Sequence, residues 1–144
     1  LTQLSDQQKL HILQQKYSVW TPLRYAAAYD HTEIISTLLT SLQSSAYRLK
    51  LLMVNKYETP LHRAAVRGHT ESVKMILDCL TADQQIQIMS IQRRTGETAI
   101  QIAKRRGHTD TVRVLREYQL RADNLMKEEY SKFTTLHTKS IHHH

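Results

Sequence analysis

The sequence predicts an all-α protein, a solenoid of stacked helical units with an extra short helix in each connection, and three observations lead there. First, one phrase recurs: TPLRYAAAYDHTEIISTLLTSL from Thr21, TPLHRAAVRGHTESVKMILDCL from Thr59 and TAIQIAKRRGHTDTVRVLREYQ from Thr98. Thr59 stands 38 residues after Thr21, and Thr98 stands 39 after Thr59. Such self-similarity marks one supersecondary unit used several times. Second, apolar residues inside each phrase fall at helical intervals. Third, three glycines and two prolines in 144 residues are too few for many short strands joined by tight turns.

The elements follow in chain order. A partial leading unit spans residues 1–16, where Ser5-x-x-Gln8 is a capping box ahead of Leu10 and Leu13. Three units follow at about 17–55, 56–94 and 95–121. In each, threonine (Thr21, Thr59, Thr98) supplies an N-cap hydroxyl. Pro22 and Pro60 take the first helical position, where a missing N–H costs nothing. Leu23, Ala26 and Ala27, and likewise Leu61, Ala64 and Ala65, share one face, and the small alanines let a neighbouring helix come close. Gly68 and Gly107 end the short helix in the left-handed region, and Asp30, among the few other residues that visit that region, takes their place in the first unit.

A second helix then carries Ile35, Leu38, Leu39 and Leu42, or Val73, Ile76, Leu77 and Leu80. Such a helix–turn–helix has one sticky side that it cannot bury alone. The connections LQSSAYRLKLL from Leu42 and LTADQQIQIM from Leu80 each predict a short third helix, with Leu49, Leu52, Ile86 and Met89 packing back on the array. Thr81-x-x-Gln84 caps the later one; the Leu42 connection has no box. The pattern restarts at Leu120, and a C-terminal segment 122–141 follows as a cap or a truncated unit. Its stripe of Leu115, Tyr118, Ala122, Leu125, Met126 and Tyr130 is expected to cover the last unit. Thr134-Thr135-Leu136-His137 is either the stump of a further unit or chance. Leu1 in place of Met and the run His142–His144, read as a tag remnant, mark a piece of a longer parent.

These phrases resemble the ankyrin repeat, whose signature is T-P-L-H-x-A. The resemblance covers residues 17–119. An ankyrin unit has about 33 residues, so each unit here carries roughly five or six more, placed in the connections. The third unit departs furthest. Ala99 replaces proline, Gln101 histidine and Lys104 the second alanine, while Arg116 and Gln119 stand where the second unit has Leu77 and Leu80. Charge on a stacking face places that unit near an end of the array.

The repeated histidines His31, His69 and His108 invite a metal site. Equivalent positions in stacked helices lie roughly 8–10 Å apart, however, and zinc needs nitrogens at about 2.0–2.1 Å. They are read as polar ties between a turn and its neighbour. The resemblance gives His62 a bond to backbone between units, a role that Arg24 and Gln101 fill in part. No phosphate loop, nucleophile elbow or H-E-x-x-H occurs, so no catalytic residue, cofactor or metal is expected. Cys79, next to Asp78 with no cation nearby in sequence, is read as an inert thiol. One cysteine, no secretory leader and no apolar run of about 18 residues point to an intracellular and cytoplasmic protein, monomeric as this fragment and off the membrane.

What remains is a surface. The resemblance places partner contacts at the residue before each threonine and at the pair after the two small residues. Those are Trp20, Glu58 and Glu97, then Ala28 and Tyr29, Val66 and Arg67, and Arg105 and Arg106, with Tyr25 and Arg63 alongside. One end of such a surface is aromatic and the other cationic. The expected function is therefore protein–protein interaction, a scaffold presenting a concave face to an acidic or amphipathic segment. Nucleic-acid binding through the basic half is the alternative, supported only by the net charge of +7.

Overall fold

In the computed structural model, residues 3–16 and 22–142 are described, with side chains for 3–13 and 22–135. Among the described residues the chain forms helices and no strand: α1 (Asp6–Lys16), α2 (Pro22–Ala28), α3 (Thr32–Thr40), α4 (Ser45–Leu52), α5 (Pro60–Arg67), α6 (Thr70–Asp78), α7 (Ala82–Met89), α8 (Ala99–Arg105) and α9 (Thr109–His142). Helices α2, α5 and α8 are the first helices of the three units; α3, α6 and the start of α9 are the second. Like packs on like: α2 on α5 and α5 on α8, α3 on α6 and α6 on α9.

The caps show why the units begin where they do. Thr59 is extended (φ −78°, ψ 163°), and its hydroxyl accepts the His62 N–H at 3.2 Å while His62 Nδ1 accepts the Thr59 N–H at 3.1 Å. Thr98 and Gln101 close the same reciprocal pair ahead of α8. Thr21 lies outside the described residues. Gly68 and Gly107 sit at φ 70° and 76°, and Asp30 at 57°. Asp30 does more than turn the chain, because its carboxylate accepts the Ser72 hydroxyl at 2.7 Å and so ties the first unit to the second.

Stacking buries Ala26 and Ala27, Ala64 and Ala65, and the leucines and isoleucines behind them. Each buried aliphatic side chain contributes about 1.5–3 kcal/mol. The added helices α1, α4 and α7 pack on this core through Leu10, Leu51, Leu52, Ile88 and Met89, with Leu13 and Leu49 partly buried beside them. Capping boxes at Ser5–Gln8 and Thr81–Gln84 start α1 and α7. Helix α4 has no cap of its own. Instead Asp6, from α1, accepts the N–H groups of Gln43 at 3.0 Å and Ser44 at 2.7 Å. Those two bonds hold the Asp6 carboxyl below the usual range.

The C-terminal part departs from expectation. No fresh connection begins at Leu120; α9 runs unbroken for 34 residues because the stretch holds helix formers and no glycine or proline. Leu115, Tyr118 and Ala122 are buried, as expected, but α9 packs along α7 rather than across the open side of the third unit. Tyr118 donates to Asp78 at 2.6 Å. Beyond that, Leu125, Tyr130 and Phe133 are exposed. Thr134 and Thr135 lie inside α9, with the Thr134 hydroxyl donating to the Tyr130 carbonyl, so no further unit opens there.

Candidate interaction surface

Helices α2 and α5 bring an aromatic pair and two arginines together. Tyr25 on α2 and Tyr29, the residue just past its end, place their ring centroids 4.6 Å apart, and both are about half exposed. From the next unit, the Arg67 guanidinium stands 5.7 Å from the Tyr29 ring centroid, within cation–π range. Tyr25, Ala28, Tyr29, Arg63 and Arg67 line a concavity of about 320 Å³. Trp20, expected beside them, lies outside the described residues.

The two expected acidic contacts are engaged within the protein. Glu58 is half-buried between Arg63 at 3.6 Å and Arg93 at 3.0 Å. Glu97 takes Arg105 in a two-point contact at 2.6 and 3.0 Å, which lowers the Glu97 pKa and raises that of the guanidinium. Arg105 thus projects less net charge than its sequence position implies. Among the described residues, Arg67 and Arg106 have no carboxylate partner, so they carry the positive potential of this face. Val66 is partly buried against the core, and its carbonyl accepts His108 Nε2 at 3.0 Å. Tyr57 was not singled out from the sequence. It is exposed at the loop before Thr59, with Lys56 and Arg94 at 5.3 and 5.5 Å from its ring; its only signal was its place two residues before the capping threonine.

Two of the three repeated histidines are ties, and the expectation of one at His31 is not met. His69 Nε2 reaches the Ala28 carbonyl at 3.0 Å, as His108 reaches Val66 one unit later. His31 is exposed beside the Tyr25 and Tyr29 rings. His62 is buried; since its Nδ1 accepts, its Nε2 carries the proton donated to the Ile91 carbonyl at 2.9 Å. Arg24 reaches the Glu58 carbonyl at 3.4 Å from the equivalent place. Among the described residues, no group of three or more histidines, cysteines or acids stands close enough to hold a metal ion. Burial pushes the Cys79 thiol up. The expectation that no cation lies near it is corrected: Arg48 donates to the Cys79 carbonyl at 3.3 Å, although burial outweighs its pull.

Burial lowers the His62 pKa below the ordinary 6.5. The folded protein therefore binds fewer protons than the unfolded chain once the pH falls below about 6.5, and stability drops from there downward. His62→Gln keeps the capping box, as Gln101 does, and loses the Ile91 bond. We expect a cost of about 1–2 kcal/mol at pH 7.5 and a shallower fall in melting temperature between pH 6.5 and 5. Parallel melting profiles for the two proteins would refute this role for His62.

Known proteins support the architecture. A family model for ankyrin repeats in three copies matches residues 3–88, and one for ankyrin repeats in many copies matches residues 61–116. A Caenorhabditis elegans homolog of transient receptor potential cation channel subfamily A member 1 is 29% identical over 113 residues. That alignment covers 78% of this chain and 8% of the relative. With its caps, left-handed turns and stacked helix pairs, and with a family model matching more than half its length, the chain belongs to the ankyrin repeat family.

Proposed function

We infer that the chain is a binding module whose partner is an acidic or amphipathic protein segment docked across the first helices of the units, α2, α5 and α8. Ankyrin repeats are in general protein–protein interaction modules, not catalysts. The observation that carries the finer reading is the groove of Tyr25, Tyr29, Arg63 and Arg67, where an aromatic floor meets a guanidinium without a carboxylate of its own at Arg67. Aromatic and arginine side chains are the usual anchors of interfaces, because both desolvate large area at little entropic cost. Arg106 extends the positive potential toward α8. A reducing, intracellular setting accords with a lone thiol at Cys79. The similarity to a channel spans 8% of that protein and supports the repeat, not conduction. No described helix is long and apolar enough to cross a membrane.

The test uses the immobilised chain to capture partners from native lysate, followed by affinity measurement with a purified one. Arg67→Ala together with Arg106→Ala is expected to weaken binding about tenfold or more and to flatten its salt dependence. Unchanged affinity removes this surface. The nucleic-acid alternative rests on charge alone, and no binding to mixed-sequence DNA or RNA at low salt would end it.

A further inference from the structure

Among the described residues nothing stacks on the third unit, and the face it leaves uncovered differs in chemistry from the interior of the array. Ala27, Ile35 and Leu39 in the first unit, and Ala65, Val73 and Leu77 in the second, are each 0% exposed beneath the unit that follows. The same three positions in the third unit are Lys104, Val112 and Arg116. With Gly107, Arg113 and Leu120 they line a groove of about 470 Å³ on α8 and α9. The socket is filled one unit earlier: a Cβ on Gly68 would meet the His108 ring at 2.6 Å, whereas nothing lies within 4 Å of one on Gly107. Here, then, is a stacking socket with two of its three apolar contacts replaced by cations. Its apolar part is Val112 and Leu120, and its rim is Lys104, Arg113 and Arg116 against a single acid, Glu117. Arg113 approaches Asp110 at 3.5 Å, but both side chains are well exposed, and such pairs hold their charges weakly.

We propose that this groove docks an acidic amphipathic helix of a partner protein, lying where a following unit's helices would lie. Its apolar stripe would rest on Val112 and Leu120, and its carboxylates would meet Lys104 and Arg116. Charge selects this occupant. An apolar repeat face set on the groove would remove two cations from water with nothing to pair them. A second molecule of the same chain, at +7, would bring more positive charge to a positive rim. The groove sits on α8 and α9 and shares no residue with the Tyr25–Arg67 concavity, so the two surfaces succeed or fail separately.

The probe is a fluorescein-labelled helical peptide of about 18 residues with a leucine stripe flanked by glutamates. A scrambled peptide of the same composition and one with lysine for every glutamate serve as controls. Anisotropy is read at near-physiological salt against the unaltered chain, Lys104→Ala/Arg116→Leu, Arg116→Glu, and Arg67→Ala/Arg106→Ala. The unaltered chain is expected to bind the acidic peptide and to bind both controls at least about tenfold more weakly. Each groove variant is expected to lose about tenfold or more, and the Arg67/Arg106 variant less than about twofold. Circular dichroism confirms that the variants fold; the substituted groove side chains are exposed, so folding is expected to survive. The proposal is overturned if the acidic peptide fails to bind at millimolar concentration. It is equally overturned if scrambling leaves binding unchanged, if the groove variants bind like the unaltered chain, or if sedimentation shows two molecules associating through this groove.

Discussion

Leu77→Arg is expected to abolish the cooperative fold. Leu77 is fully buried, at the position where the second unit meets the third. Truncating such a side chain costs about 2–5 kcal/mol, and an unpaired guanidinium left in the same place adds several more. The sum rivals the whole stability of a typical domain, about 5–15 kcal/mol. The reciprocal change, Arg116→Leu, alters an exposed residue and is expected to shift stability by less than about 0.5 kcal/mol. Urea titrations followed by far-ultraviolet circular dichroism compare the two. A Leu77→Arg protein with an ordinary midpoint would mean that this face is not what holds the units together. The pair isolates context: one residue type is ruinous inside the stack and harmless at its end.

Gly68→Ala is expected to cost about 2–3 kcal/mol, against about 1–2 kcal/mol for Gly107→Ala. Both glycines sit at positive φ, 70° and 76°, where a side chain costs about 1–2 kcal/mol. Only at Gly68 does the added methyl meet an obstacle, the His108 ring at 2.6 Å. The ring must retreat, which weakens its bond to the Val66 carbonyl and adds about 1 kcal/mol. Matched thermal melts read the difference, and equal losses at the two sites would show that His108 does not seat on the glycine.

What the sequence made legible was whatever is local or periodic. Thr59 and Thr98 as caps, the Ser5–Gln8 and Thr81–Gln84 boxes and the left-handed turns all involve partners within a few residues, and each took the predicted form. The stacking face followed from its apolar spacing. Contacts between units were the illegible part. The missing cap of α4 came from Asp6, 38 residues before Ser44, and the cation near Cys79 came from Arg48. At the candidate surface, sequence position suggested Glu58 and Glu97 as contacts, but it did not show that Arg63, Arg93 and Arg105 already engage them. The absent turn at Leu120 was hidden for another reason. An echo of earlier leucines suggested a new helix, and only the lack of any breaker decided otherwise.

Helix α9 gives the two ends of the described chain different mechanical character. At 34 residues it is a rod of about 51 Å, and its first half is bedded on α6, α7 and α8 together. A pull on its far end is shared among three neighbours, so the last unit yields only when the one before it yields too. Helix α1 packs chiefly on α4, with Lys9 donating to the Ser41 carbonyl at 2.7 Å beside it. Tension along the described chain therefore meets a lighter anchorage at α1 than at α9.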